Sequence, residues 1–171
     1  SYKIKMNLLA NLKEMKNYFF KKENIFYFLF ILIIFFLDRL SKREIINNFN
    51  ESVYFINDYI NFDLIWNIGI GFGFLSTDSS IVYSMVTLFI GFVILFLLYV
   101  FIYSEKIDKI IYSIIIGGAL GNYYDRLVYK AVPDFIDLHY NNFHWFTFNV
   151  ADIFISIGIL IFIMRGSFIR K

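Results

Sequence analysis

Two aspartates carry the chemistry this sequence can support. Asp134 follows Pro133 and precedes Phe135-Ile136, while Asp152 heads an almost purely apolar run, Ile153–Met164. Two carboxylates held about 3 Å apart cannot both ionise easily, so they share a proton. One then acts as a base toward water, and the other protonates a scissile carbonyl. That chemistry needs no cysteine, serine or metal. The chain has no cysteine, which excludes disulfides, thiol nucleophiles and thiolate metal sites. Its two histidines, His139 and His144, lack the spacing of ligands on one helix. Neither a metal nor another cofactor is therefore expected.

Other polar residues interrupt apolar runs at related positions. Asn149 and Asp152 are three apart and share a helical face that continues to Ser156. Gly118, Asn122 and Arg126 form a stripe at spacings of four, with Asp125 beside it. Asp38 and Lys42 are also four apart. An ionisable residue costs about 2.5–3.5 kcal/mol at the centre of a bilayer helix, so each needs a reason. Each also has a plainer reading. Asp38 and Lys42 make an interfacial ion pair. Gly117–Gly121 makes a helix-packing seam with Asp125-Arg126 as a boundary pair. Asp152 is a structural partner of Arg126, and Asp134 is a solvated loop carboxylate.

The elements that must position these groups follow from composition. Hydrophobic types make up 59% of the 171 residues, against about 45–50% in a soluble domain. Mean hydropathy is +0.63. So much apolar surface must face lipid, and we read one all-α integral membrane domain, 1–171, with four transmembrane helices. Residues 1–23 form a lysine-rich cytoplasmic tail, read as such because no small-residue cleavage site follows it. Helices are expected over 24–46, 81–103, 110–127 and 145–164. A tight charged turn, Ser104–Lys109, joins the second and third, and 128–143 is read as an outer loop containing Pro133. Between helices 1 and 2, residues 47–80 have strand character. Ile60, Phe62, Leu64 and Trp66 alternate with polar Asn61 and Asp63, and Gly69, Gly71 and Gly73 then alternate. This segment is expected to form a small extracytoplasmic β-sheet. Placing both termini on one side puts eleven of the sixteen lysines and arginines there, so both termini are expected to face the cytoplasm. The polar ends of helices 1, 3 and 4 then meet near the outer leaflet. The net charge of +2, without a basic stripe, gives no reason to expect a nucleic-acid partner.

The runs Gly117-Gly118-Ala119-Leu120-Gly121-Asn122-Tyr123-Tyr124-Asp125-Arg126-Leu127, Pro133-Asp134-Phe135 and Phe148-Asn149-Val150-Ala151-Asp152 resemble signal peptidase II, the lipoprotein signal peptidase. Asp38 through Lys42 resembles the first-helix motif of that family, and Asn67 through Gly73 its asparagine-glycine motif. The resemblance covers about Asp38 to Ser156. It implies a membrane-embedded aspartic endopeptidase that cleaves prolipoproteins before a diacylglyceryl-modified cysteine. It further implies a β-cradle, an Asp134/Asp152 catalytic dyad and inhibition by the cyclic peptide globomycin. Asn67, Gly69, Gly118, Asn122, Arg126 and Asn149 would line or support the site, with Asp38 and Lys42 behind them. A monomer in the bacterial inner membrane is expected. Pro133 stands where the family usually has valine, and its missing N–H argues against strand-like pairing of the substrate with that position. Two rivals fit the residues less closely. A proton-coupled transporter subunit would use Asp152 and Arg126, but helix 2 is uncharged and no polar path crosses the bilayer. A membrane-assembly protein would use the Gly117–Gly121 seam.

Overall fold

The computed structural model describes residues 22–49, 53–69, 80–141 and 143–169. The lysine-rich tail up to Lys21, the segment 70–79 with Gly71, Phe72 and Gly73, and Arg170-Lys171 lie outside the described residues. Along the chain run α1 (Lys22–Asn48), β1 (Tyr54–Asn57), β2 (Ile60–Asn67), α2 (Ser80–Tyr103), α3 (Lys106–Val128), β3 (Val132–Tyr140), β4 (Phe143–Phe148) and α4 (Val150–Ile169). Two helical stretches, Asn24–Asn48 and Ile81–Tyr103, are long and apolar enough to cross a bilayer. Helix α2 turns Ile81, Met85, Phe89, Phe92 and Phe96 outward, as a helix solvated by lipid would.

Helix α3 is the hub and packs against each of the other three helices. Its small residues make this possible. A Cβ on Gly117 would lie 2.7 Å from Cβ of Ile34 in α1, and one on Gly118 would lie 2.6 Å from the Ala151 carbonyl oxygen in α4. Real side chains do not tolerate such distances, so glycine sets the helix separation. Far from the sheet, Tyr27, Ile31, Phe101, Ile102 and Ile116 form an apolar core between α1, α2 and α3.

The four strands form one antiparallel sheet in the order β1-β2-β3-β4. This corrects the expected sheet between helices 1 and 2. Half of it comes from the segment before α4, so 128–143 is largely strand and not loop. The sheet ties the α1–α2 connection to the α3–α4 connection. Trp66 pairs with Pro133 and Ile65 with Asp134, while β4 runs opposite β3 only from Ile136 onward. At Pro133, β3 therefore has β2 as its only paired neighbour among the described residues, and a missing N–H is tolerated there.

Two boundaries also differ. Helix α3 begins at Lys106, so the charged turn shrinks to Ser104-Glu105. The charges are carried on the helix because they are paired. Lys109 Nζ donates to Asn24 Oδ1 at 2.6 Å, and Arg165 Nε lies 2.6 Å from Asp108 Oδ1. Helix α4 begins at Val150 and not at 145, because 143–148 belong to β4.

Candidate active site

The site is assembled at the sheet end of the bundle. Asp134 comes from β3, Asp152 from α4, Asn122, Asp125 and Arg126 from α3, Asp38 and Lys42 from α1, and Asn67 and Gly69 from the end of β2. All the expected site residues are among the described residues.

The start of α4 fixes Asp152. Asn149 precedes the helix, and its Oδ1 accepts the Asp152 N–H at 3.1 Å. The Asp152 Oδ2 accepts the Asn149 N–H in return, also at 3.1 Å. This reciprocal pair is a capping box in which aspartate takes the place of glutamate. The next free N–H, that of Ala151, donates to Asp38 Oδ1 at 3.0 Å. Two carboxylates thus face the positive end of the α4 dipole.

Asparagine amides hold both candidate catalytic carboxylates. Asp134 Oδ1 accepts from Asn149 Nδ2 at 2.6 Å, and its Oδ2 accepts from Asn67 Nδ2 at 2.9 Å. Asp152 Oδ1 accepts from Asn122 Nδ2 at 2.8 Å. Asn149 therefore bonds to both aspartates and joins them. Asp134 is buried on its strand and is not the solvated loop residue of the plainer reading. Burial and the negative charge of Asp152 push its pKa up to about 6, against the pull of the Asn67 and Asn149 donors and of the Lys42 charge.

Behind the asparagines lies a buried ionic cluster. Lys42 Nζ donates to Asp38 Oδ2 at 2.9 Å, to Asn122 Oδ1 at 2.8 Å and to Asp125 Oδ2 at 2.7 Å. Arg39 pairs with the other oxygen of Asp125 and lies over the Tyr124 ring. Lys42, Asp38 and Asp125 are fully buried. The Asp38–Lys42 pair is therefore internal and not interfacial. Asp125 is the supporting residue the spacing argument left aside. It lies three residues after Asn122, on the face that meets α1, so the signal was present. Arg126 makes no ion pair with Asp152 among the described residues. Its Nη2 donates to the Gly69 carbonyl, and its Nη1 is buried without a partner among the described residues.

A groove of about 290 Å³ opens beside Asp152, lined by Leu138, Phe146, Phe148, Ile153, Ser156 and Ile157. Ser156 thus shares the Asp152 face as expected. Two sheet aromatics, Phe146 and Phe148, line this groove; the exposed Trp145 does not. Among the described residues, no group of three or more His, Cys, Asp or Glu is arranged to hold a metal ion. His144 instead meets Asp137 at 2.7 Å.

Residues 30–168 match the family described as Signal peptidase (SPase) II. The chain belongs to the signal peptidase II family. It is 44% identical over 144 residues to the lipoprotein signal peptidase of Pelagibacter ubique (strain HTCC1062), covering 82% of this chain and 87% of that one. It is 35% identical over 151 residues to the lipoprotein signal peptidase of Francisella tularensis subsp. novicida (strain U112), covering 85% and 93%. Its fold is similar to that of a bacterial membrane enzyme solved by the in meso method at 2.3 Å resolution. There the TM-score is 0.68 at 26% identity, over 81% of this chain and 85% of that one. Membership of a signal peptidase II family decides against the transporter and assembly readings.

Proposed function

We propose that this signal peptidase II family member cleaves prolipoproteins before a diacylglyceryl-modified cysteine, with Asp134 and Asp152 as its catalytic dyad. The observation that carries the assignment of the dyad is Asn149, which donates to Asp134 and exchanges two hydrogen bonds with Asp152. The two carboxylates are held together by amides and have no cation bonded to either among the described residues. In this reading one carboxylate is ionised and takes a proton from water. The water oxygen attacks the scissile carbonyl while the other, protonated aspartate donates to the carbonyl oxygen. A pKa near 6 suits Asp134 to exchange a proton near neutral pH. Arg126 Nη1, a buried donor without a partner among the described residues, would donate to a substrate carbonyl in this reading.

All four helices cross the membrane in this reading, with both termini cytoplasmic and the sheet resting on the outer leaflet as a single domain with the bundle. The apolar groove beside Asp152 would admit the substrate from lipid. Acyl burial would add affinity of about 0.8 kcal/mol per CH₂. The test uses purified protein in lipid with a diacylglyceryl-modified precursor. Asp134→Asn and Asp152→Asn are each expected to insert normally and cleave nothing, and globomycin is expected to inhibit the wild type. Normal cleavage by either variant would overturn the dyad.

A further inference from the structure

Three asparagine side chains donate to the two candidate catalytic aspartates, and each amide is held from its oxygen side. Asn67 Oδ1 accepts the Gly69 N–H at 2.8 Å, and Asn149 Oδ1 accepts the Asp152 N–H at 3.1 Å. Those two holds are backbone groups. The third differs: Asn122 Oδ1 accepts from a side chain, Lys42 Nζ, at 2.8 Å.

We infer that Lys42 is a positioning residue, whose ammonium group fixes the orientation of the Asn122 amide so that its NH₂ always faces Asp152. An ammonium group only donates, so the amide atom facing it must be the oxygen. The nitrogen is then turned to Asp152 Oδ1, where it lies at 2.8 Å. Without Lys42 the amide is free to turn, and its oxygen would meet an ionised carboxylate.

The cluster around Lys42 is built to keep it in place. Its three donors are used by Asp38, Asn122 and Asp125, and none of its surface is exposed. Arg39 holds the far oxygen of Asp125, and Asp38 also caps the start of α4 through the Ala151 N–H. Gly121 contributes by its lack of a side chain, because a Cβ there would collide with the Asp38 carboxylate. Two cations and two carboxylates make a neutral set, and with all three of its donors used the position of the Lys42 amino group is over-determined.

The inference rests on the reading of Asp152 as catalytic, so the experiment separates the two. Lys42→Met alone leaves Asp38 and Asp125 sharing a single cation, and it is expected to unfold part of the protein. The charge-balanced double variant Asp38→Asn/Lys42→Met keeps an oxygen acceptor for the Ala151 N–H and leaves the Arg39–Asp125 pair intact. In detergent it is expected to recover most of the thermal stability lost by Lys42→Met. Its kcat on a lipidated precursor is expected to stay at least tenfold below wild type, with KM changed less than threefold and the acidic limb of the profile moved to higher pH. Asn122→Asp is the second arm. It keeps an oxygen on Lys42 and presents an oxygen to Asp152, so its activity is expected to fall at neutral pH and recover in part as the pH is lowered. A folded double variant with kcat within twofold of wild type would overturn the inference, as would full neutral-pH activity in Asn122→Asp. If Asp152→Asn, assayed alongside, cleaves normally, the dyad reading itself fails. If Asp152→Asn is inactive while the double variant is active, only the role of Lys42 fails.

Discussion

Asp134→Asn is expected to abolish cleavage and at the same time to stabilise the folded protein at neutral pH. In the folded chain, burial and the charge of Asp152 raise the Asp134 pKa from 3.8 to about 6. Between about pH 4 and pH 6 the folded protein therefore holds a proton that an unfolded chain has released. Stability falls as pH rises through that window and stays lower above it. A displacement of that size corresponds to about 3 kcal/mol at pH 7 or higher. Asparagine carries no charge, so it removes the charge penalty at every pH, while its NH₂ meets Asn67 Nδ2 or Asn149 Nδ2 at a cost that does not vary with pH. The hydrogen bonds from Asn67 and Asn149 that favour the charge are already counted in the net shift. Thermal unfolding in detergent should then give a variant more stable by at most about 3 kcal/mol at pH 8, or about 6–12 °C for a domain of this size. Relative to pH 8, the comparison should move against the variant by about the same amount at pH 4, where wild-type Asp134 is mostly protonated. An equal difference at both pH values would refute the argument that the site stores an unfavourable charge.

Other outcomes follow from the same geometry. The acidic limb of the kcat/KM profile should fall near pH 6, with two apparent values that belong to the pair and not to one residue; steady-state rates between pH 4 and 9 measure it. Gly118→Ala places a Cβ 2.6 Å from the Ala151 carbonyl, a backbone atom that cannot yield, and should destabilise by about 1–3 kcal/mol with loss of cleavage. Gly166→Ala meets nothing within 4 Å and should stabilise α4 by up to about 1 kcal/mol, so the two variants bracket the effect in one melting assay. His144→Ala removes the partly exposed partner of Asp137 and should leave the cleavage rate within about twofold of wild type.

The sequence made the four helices legible because long apolar runs are a one-dimensional signal. It made their sheet-end polar residues legible because a charge in such a run has few innocent explanations. Strand β3 was hidden for physical reasons. Its stretch Val132–Phe135 is buried on both faces, so the period-two alternation that marks a half-exposed strand is missing. Pro133 reads as a breaker unless one knows that β4 stops short of it. The aromatic run before α4 fits a strand or a helix equally well by pattern. The boundary was nevertheless written in the chain, since Asn149 and Asp152 have the spacing of a capping box. Asp125 shows the opposite limit. Its position beside Asn122 was visible, but its partner Lys42 lies 83 residues away in sequence, and no local pattern links them.

Four carboxylates, three of them buried and Asp152 partly buried, meet within this small space, and the fold treats them in two ways. Asp38 and Asp125 are given the cations: Lys42 bonds to both, and Arg39 to Asp125. Asp134 and Asp152 are given amides and an N–H group instead. A cation in direct contact with Asp134 would hold it ionised well below neutral pH and remove it from proton exchange. An amide orients a carboxylate without compensating its charge. The third nearby cation, Arg126, is directed to the Gly69 carbonyl, which keeps its guanidinium off both aspartates. The division explains why a site for acid–base chemistry needs so many asparagines. It also makes a clear demand on any variant that moves a cation. Asn149→Lys, which would bring an ammonium group to Asp134, should lower the acidic limb of any residual activity, whereas Asn149→Leu, which removes a donor and adds no charge, should raise it.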